Sequence, residues 1–222
     1  MSPKSWLSLL EEQRAIAVIR AASYQQGQHM AAAVIKAGMR LIEITWDSDR
    51  AADLIAQIGH DYPAAIVGTG TVLDRSMLDG AIAAGVKFVF SPHVNLEMIR
   101  VAVEQRVPII PGALTPSEIV RAWQAGAYSV KVFPISAMGG VSYLKSLRGP
   151  LGNIPLIPTG GVTLDNARAF IDWGAIAVGL SSQLFPHRLL AANDWPLITD
   201  RAANLMLTLT QQSHPSFNRL PQ

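Results

Sequence analysis

Short apolar runs alternate with longer amphipathic segments about eight times along this chain. The apolar runs are typical of β-strands that are buried on both faces. The segments between them have helical periodicity, and four of the helices are predicted to end at a glycine that leads into the next strand. The predicted strands are Ala15–Ile19, Leu41–Thr45, 65–67, 88–90, 107–110, 129–133, 155–157 and 175–180, the clearest helical segments are 29–37, 51–58, 77–84, 96–105 and 116–125, and the glycines are Gly38, Gly85, Gly126 and Gly174.

Strands that alternate with helices imply parallel pairing through right-handed crossovers. Eight such units of roughly 25 residues predict an α/β fold, a (β/α)8 TIM barrel formed as a single compact domain by residues 1–210. A doubly wound open sheet is the alternative, because periodicity does not show whether the sheet closes. Residues 211–222 are polar and contain proline. We expect them to form a loosely ordered tail.

Composition narrows the class of protein. Of the 222 residues, 50% are hydrophobic and 15% are charged, as in compact α/β enzymes, and the net charge is only +2. The arginines are scattered, so nucleic acid is not an expected partner. The chain has no cysteine, which excludes disulfides and thiolate chemistry, and it has neither a secretory signal nor an apolar stretch of membrane-spanning length. We therefore expect a cytoplasmic protein with no membrane partner.

Lys131 stands inside the apolar strand 129–133. A buried charge costs several kcal/mol unless it is paired or neutral. Burial favours a neutral amine, which is a nucleophile for carbonyl carbon. A lysine that extends to solvent at the strand end is the alternative.

Glu43 is the only carboxylate within a predicted strand. Burial and a nearby ammonium shift the pKa of a carboxyl group in opposite directions, so this residue is suited to proton transfer beside Lys131. A plain Glu–Lys ion pair that fills the barrel is the alternative, although buried ion pairs stabilise a core poorly.

Polar residues and glycines follow every predicted strand at its carboxyl end, where parallel barrels carry their reactive groups. Arg20 ends the first strand and could bind a carboxylate or phosphate, or form a surface salt bridge. The run Thr159-Gly160-Gly161, together with the segment 179–182, suggests a phosphate site, although glycine pairs are also ordinary turn residues. The predicted substrate-binding residues are Arg20, Thr71, Pro92, Gly160, Gly161 and Ser181.

Other polar residues are ambiguous or exclude a chemistry. Asp47 could be an acid at the barrel rim or a helix cap, and His93 could be packed or catalytic. The five histidines show no metal-ligand spacing, so no metal is expected. The run Gly68-Thr69-Gly70 lacks the third glycine of a dinucleotide fingerprint.

Five motifs, taken together, resemble a known family. They are Ile42-Glu43-Ile44-Thr45, Val67-Gly68-Thr69-Gly70-Thr71-Val72, Ile110-Pro111-Gly112, Lys131-Val132-Phe133-Pro134 and Pro158-Thr159-Gly160-Gly161-Val162. In this order and spacing the chain, over about residues 8 to 210, resembles the bacterial 2-keto-3-deoxy-6-phosphogluconate (KDPG) aldolases, which also act on 4-hydroxy-2-oxoglutarate (KHG).

The resemblance implies a metal-free class I aldolase, usually a homotrimer, that uses no cofactor beyond a Schiff base on its own lysine. Its substrate would be a phosphorylated keto acid, split into pyruvate and glyceraldehyde 3-phosphate. Lys131 would form the Schiff base and Glu43 would be the acid/base. Thr71 would contact the pyruvyl carboxylate, while Gly160, Gly161 and Ser181 would hold the phosphate.

One departure leaves the substrate open. Many members of the family carry an arginine in the loop after the glutamate strand, but the loop here reads Thr45-Trp46-Asp47-Ser48. Arg20 is expected to supply the positive charge instead. Aldolases of 6-phosphogalactonate-type keto acids and of KHG are the closest alternatives. Two alternatives of other classes are a phosphosugar isomerase or epimerase, in which Glu43 is the base, and a non-catalytic phosphate-ligand binder.

Overall fold

In the computed structural model, residues 1–210 form a closed parallel β-barrel surrounded by helices; the predicted tail, 211–222, lies outside the described residues. The strands are β1 (Ala15–Ile19), β2 (Leu41–Thr45), β3 (Ile66–Gly70), β4 (Val89–Phe90), β5 (Ile109–Ile110), β6 (Gly112–Ala113), β7 (Val130–Val132), β8 (Leu156–Pro158) and β9 (Val178–Leu180). The helices are α1 (Pro3–Gln13), α2 (Tyr24–Lys36), α3 (Ala51–Asp61), α4 (Arg75–Ala83), α5 (Leu96–Glu104), α6 (Pro116–Gln124), α7 (Val141–Arg148), α8 (Ala167–Asp172), α9 (His187–Ala192) and α10 (Trp195–Thr210), and a 3-10 turn spans Ile135–Met138.

All strand pairs are parallel, in the order β5-β4-β3-β2-β1-β9 and β6-β7-β8. The predicted fifth strand, 107–110, contains β5 only. The short strand β6 was not predicted, and it is separated from β5 by Pro111, which has no N–H to donate to a ladder. Two links join the groups of strands. Tyr128 N donates to Ile109 O (3.2 Å), and a parallel bridge pairs Thr159 with Gly179. The sheet is therefore a barrel, and the open-sheet alternative is wrong.

The predicted helices are present with ends shifted by a few residues, and Gly38, Gly85, Gly126 and Gly174 have the left-handed backbone expected after a helix. No helix within residues 1–210 has both the length and the apolar character that a membrane crossing requires.

Alternate residues of the strands point into the barrel. One apolar cluster contains Ile16, Leu41, Phe90, Ile110 and Ile157, whereas their strand neighbours pack in a second cluster against the helices. The inward-facing set continues at the carboxyl ends of the strands, and it includes most of the predicted site.

Helix α1 precedes the eight repeats and closes the opposite end of the barrel. Its Trp6 and Leu10 are fully buried in the interior cluster. The Trp6 ring packs on Phe88 with centroids 5.2 Å apart, and its Nε1–H donates to Ser129 Oγ (3.1 Å). The barrel is thus sealed at the start of its strands and open where they end.

Candidate active site

Lys131 lies in β7 with only 7% of its surface exposed, between Gly112 of β6 and Ile157 of β8. It is inward-facing, two residues beyond Ser129. Its Nζ lies 4.7 Å from the centroid of the Phe133 ring and 5.6 Å from that of Phe90. The aromatic rings enclose the amine, so Lys131 does not extend to bulk solvent as one alternative supposed.

Glu43 lies in β2, two residues beyond the inward-facing Leu41, and is 2% exposed. Burial raises the pKa of its carboxyl group, and the positive charges of Lys131 and Arg20 oppose that rise. Gly70 of β3 makes room for the carboxylate, because a Cβ on Gly70 would overlap Glu43 Oε1.

The two charged groups face the same interior without forming an ion pair. Within residues 1–210, no N–O distance of 4.0 Å or less joins Lys131 to Glu43, and neither side chain makes a hydrogen bond. The structure therefore does not contain the plain ion pair considered from the sequence. An amine and a carboxylate that are buried, near each other and unpaired are both available to a bound molecule.

Arg20, Asp47 and Thr71 form a group at the barrel mouth. Arg20 Nη2–H donates to Thr71 Oγ1 (3.2 Å), and Arg20 Nε lies 3.2 Å from Asp47 Oδ2. Asp47 is thus an acid at the rim, and α3 begins without it, after Arg50. Thr71 has a φ of 60°, which is unusual for a β-branched residue and frequent at functional sites.

The glycine pair lies on the other side of the mouth. Gly160 and Gly161 have φ values of 76° and 102°, and Ser136 is so close to Gly161 that a Cβ there would meet its Oγ at 2.7 Å. The Gly161 amide donates to no acceptor within residues 1–210, and Ser181, exposed after β9, leaves its hydroxyl unpaired there. Free amides and hydroxyls of this kind suit an oxyanion.

Pro92 and His93 both follow β4 but differ in their exposure to solvent. Pro92 follows β4 and is half-buried, and its backbone packs closely on Gly112. His93 is exposed, and its carbonyl accepts a hydrogen bond from Ser91 Oγ (2.7 Å). No group of three or more metal-liganding side chains occurs in the part of the chain that the structure describes.

Two residues with inward-facing positions, Phe133 and Thr159, are not among the predicted catalytic and substrate-binding residues, although Thr159 adjoins the glycine pair of the suggested phosphate site. Phe133 lies two residues beyond Lys131 and covers its amine. Thr159 lies two residues beyond Ile157, is 8% exposed, and has a hydroxyl without a hydrogen-bond partner among the described residues. A buried hydroxyl without a hydrogen-bond partner has a free-energy penalty, which indicates that the Thr159 hydroxyl is a candidate ligand contact. The period of two along each strand could have identified both.

Comparison with known proteins decides the family. The model of the KDPG and KHG aldolase family matches residues 7–201. The chain belongs to this family. It is 36% identical over 170 residues to 2-dehydro-3-deoxy-phosphogluconate aldolase of Dickeya dadantii, covering 77% of this chain and 80% of that protein. It is 33% identical over 195 residues to KHG/KDPG aldolase of Escherichia coli K12, covering 88% and 92%.

A solved structure supports the same assignment of the fold. KDPG aldolase from Legionella pneumophila, captured with pyruvate as a covalent carbinolamine intermediate, superposes with a TM-score of 0.84 at 25% identity. The match covers 92% of this chain and 98% of that one. The predicted TIM barrel and the predicted family are both confirmed.

Proposed function

We propose that this protein is a class I aldolase that cleaves 2-keto-3-deoxy-6-phosphogluconate to pyruvate and glyceraldehyde 3-phosphate, without a metal or organic cofactor. The observation that carries the proposal is the buried, unpaired Lys131 amine beside the buried, unpaired Glu43 carboxylate. Relatives that are named as aldolases of this substrate, one of them trapped with pyruvate as a carbinolamine, support the reaction type.

The first half of the reaction uses Lys131 as the nucleophile. Its Nζ attacks the C2 ketone to give a carbinolamine, which loses water to become an iminium ion. Glu43 removes the proton of the C4 hydroxyl, the C3–C4 bond breaks, and its electron pair moves into the iminium to give an enamine. The C4 fragment leaves as the aldehyde. Because burial raises the pKa of Glu43, its carboxylate is a stronger base than an exposed glutamate.

The second half returns the proton. Protonated Glu43 delivers it to C3 of the enamine, and the resulting pyruvyl iminium is hydrolysed by water, which releases pyruvate and the free amine. Phe133 and Phe90 beside Nζ restrict the access of water to the intermediates. The unpaired Thr159 hydroxyl lies among the inward-facing groups at this level of the barrel, and we assign it a contact with a substrate hydroxyl.

Anion binding divides between the two sides of the mouth. We assign the keto-acid carboxylate to Arg20 and Thr71, which the hydrogen bond between them holds together. We assign the phosphate to the backbone of Gly160 and Gly161 and to Ser181, with Pro92 as part of the wall.

The test is intact-protein mass spectrometry after incubation with pyruvate and borohydride. We expect a reduced pyruvyl adduct on the wild-type protein and on Lys87→Ala, a control at an exposed lysine before β4, but none on Lys131→Ala. Turnover of KDPG should vanish in Lys131→Ala and fall about 10²–10⁴-fold in Glu43→Gln. An unadducted wild-type protein would contradict the proposal. Parallel assays with the C4 epimer and with KHG rank the substrates.

We also propose a cytoplasmic homotrimer, following the family resemblance. The lack of cysteine suits a reducing compartment. Leu73 and Leu96, which follow the neighbouring strands β3 and β4, are 46% and 40% exposed, and a subunit interface would cover such side chains. Light scattering should give three times the chain mass of 23.9 kDa. A monomer mass would contradict the assembly and leave the proposed chemistry unaffected.

A further inference from the structure

Asp47 is held at the barrel mouth by the backbone on both sides of it. Trp46 N donates to Gly70 O (2.8 Å) at the end of β3. Ser48 Oγ accepts from Ala21 N (3.1 Å) just after β1, and Asp49 N donates to Ala21 O (3.1 Å). The loop after β2 is therefore tied to both neighbouring strands, and its one carboxylate at the mouth is fixed toward Arg20.

The contacts of Arg20 use one edge of its guanidinium group. Nε faces Asp47 Oδ2 at 3.2 Å, and Nη2 donates one hydrogen to Thr71 Oγ1 at 3.2 Å. A guanidinium group has five N–H donors, and two parallel N–H groups can bind both oxygens of a carboxylate. Nη1 makes no contact of this kind within residues 1–210, and Arg20 is near enough to Glu43 to lower the pKa of its carboxyl group against the effect of burial.

Stability does not explain the Arg20–Asp47 contact. The two side chains are 60% and 50% exposed, and ion pairs between exposed side chains contribute little to folding. An arginine at this exposure is otherwise free to sample many rotamers, and ordering it when substrate binds weakens binding. A carboxylate fixed 3.2 Å from Nε reduces that disorder before the substrate arrives.

We propose that Asp47 is a positioning residue. Its carboxylate, 3.2 Å from Arg20 Nε, attracts the guanidinium group and holds it against Thr71, with Nη1 directed to the carboxylate of the keto acid. This role rests on the proposed aldolase function and adds to it a residue that does not itself touch the substrate.

The test is a double-mutant cycle on the KM and kcat for KDPG with Asp47→Ala, Arg20→Ala and the double variant. Asp47→Ala should raise KM about three- to tenfold, with kcat within about twofold of wild type, because one side chain becomes disordered. In the Arg20→Ala background, Asp47→Ala should have no further effect. Asp47→Asn, which keeps the shape of the side chain but not its charge, should raise KM as Asp47→Ala does.

Asp53→Ala is the matched control. Asp53 forms an equally exposed ion pair with Arg50 at 2.8 Å, at the start of α3, and its loss should leave KM unchanged. The role of Asp47 would be overturned by an unchanged or lowered KM in Asp47→Ala, by an equal rise in KM with and without Arg20, or by an Asp47→Asn variant with the KM of the wild-type protein.

Pyruvate trapping with borohydride on the wild-type protein distinguishes a failure of the proposed aldolase function from a failure of the role of Asp47. Without an adduct, the proposed function fails. With an adduct but an additive cycle, only the role of Asp47 fails.

Discussion

The carboxyl group of Glu43 is subject to opposing influences on its pKa. Burial raises the pKa, while Lys131 and Arg20 oppose the rise, and burial is the largest of the three effects. The folded protein therefore binds this proton more tightly than the unfolded chain does. It follows that Glu43 favours the folded state at low pH, and that this contribution is lost as the pH rises through the raised pKa.

This balance predicts how stability depends on pH. Glu43→Gln should become more stable relative to wild type as the pH rises from the ordinary glutamate pKa of 4.5, with the gain complete above the raised pKa of the folded state. Each tenfold increase in proton affinity on folding corresponds to about 1.4 kcal/mol. Urea unfolding of both proteins across this pH range measures the difference.

A control variant separates burial from the general effect of removing a carboxylate. Glu11→Gln on the exposed face of α1 removes no buried charge, so its difference from wild type should stay flat over the same range. A Glu43→Gln difference that is equally flat would show that the carboxylate bears no net cost of burial.

Among the individual residues of the candidate site, the charged ones are easier to predict from the sequence than the neutral ones. Lys131 and Glu43 are conspicuous because charge is rare in buried strands. Phe133 and Thr159 are uncharged and each follow directly after a strand, β7 and β8, so only their inward position marks them. The contact between Arg20 and Asp47 depends on the path of the loop after β2, which periodicity does not specify.

Among the secondary-structure elements, β3 makes room for a side chain of the neighbouring strand β2. Gly70 lies opposite Thr45 in the register of β2 and β3, and the Glu43 carboxylate occupies the space where a side chain at position 70 would lie. The backbone of Gly70 has no positive φ, so the space alone requires glycine.

Gly70→Ala should therefore displace the Glu43 carboxylate while the fold is kept. A displacement of about 1 Å at a catalytic group can lower the rate about 100-fold, and crowding of one methyl group costs ~1–3 kcal/mol. We expect kcat for KDPG to fall by this order, while thermal unfolding remains cooperative. A Gly70→Ala protein with wild-type kcat would show that the carboxylate can move freely.

Gly59→Ala is the paired control for this substitution. Gly59 lies within α3 with no atom within 4 Å of an added Cβ. Alanine is the better helix former by roughly 0.5–1 kcal/mol, so this variant should be slightly more stable and equally active.

The order of the elements follows from the sequence, but their exact ends do not. Pro111 separates β5 from the unpredicted β6 because it cannot donate a hydrogen bond, although its carbonyl still accepts from Lys131 N at 3.0 Å. The alternation of strands and helices survives such interruptions because it depends on burial over many residues.

For the whole molecule, barrel closure is the feature that periodicity leaves undecided. Closure rests on a few contacts between distant segments, such as Ile176 N to Leu156 O (3.1 Å) and the bridge between Thr159 and Gly179. An open sheet has the same alternation of strands and helices. The eightfold alternation and the family resemblance both favoured the barrel, but the hydrophobic pattern did not show that the sheet closes.

Helix α1 seals the end of the barrel opposite the active site through the hydrogen bond between Trp6 and Ser129. Both residues are fully buried, so Ser129→Ala leaves the indole N–H without an acceptor, at a cost of about 1–3 kcal/mol. Trp6→Phe removes the donor, and Ser129→Ala should then cost much less. Urea unfolding of the two single variants and the double variant should give a coupling of roughly 1–2 kcal/mol.

Formation of the pyruvate adduct at Lys131 is the control for this experiment. Ser129 lies two residues before Lys131 on the same inward face, but the pyruvate adduct should form on every variant at a temperature where it remains folded. An additive cycle would show that packing of the Trp6 ring on Phe88, rather than the hydrogen bond, holds α1 in place. Loss of the adduct in folded Ser129→Ala would instead mean that the base of the barrel positions Lys131, so that stability and catalysis are not separable along β7.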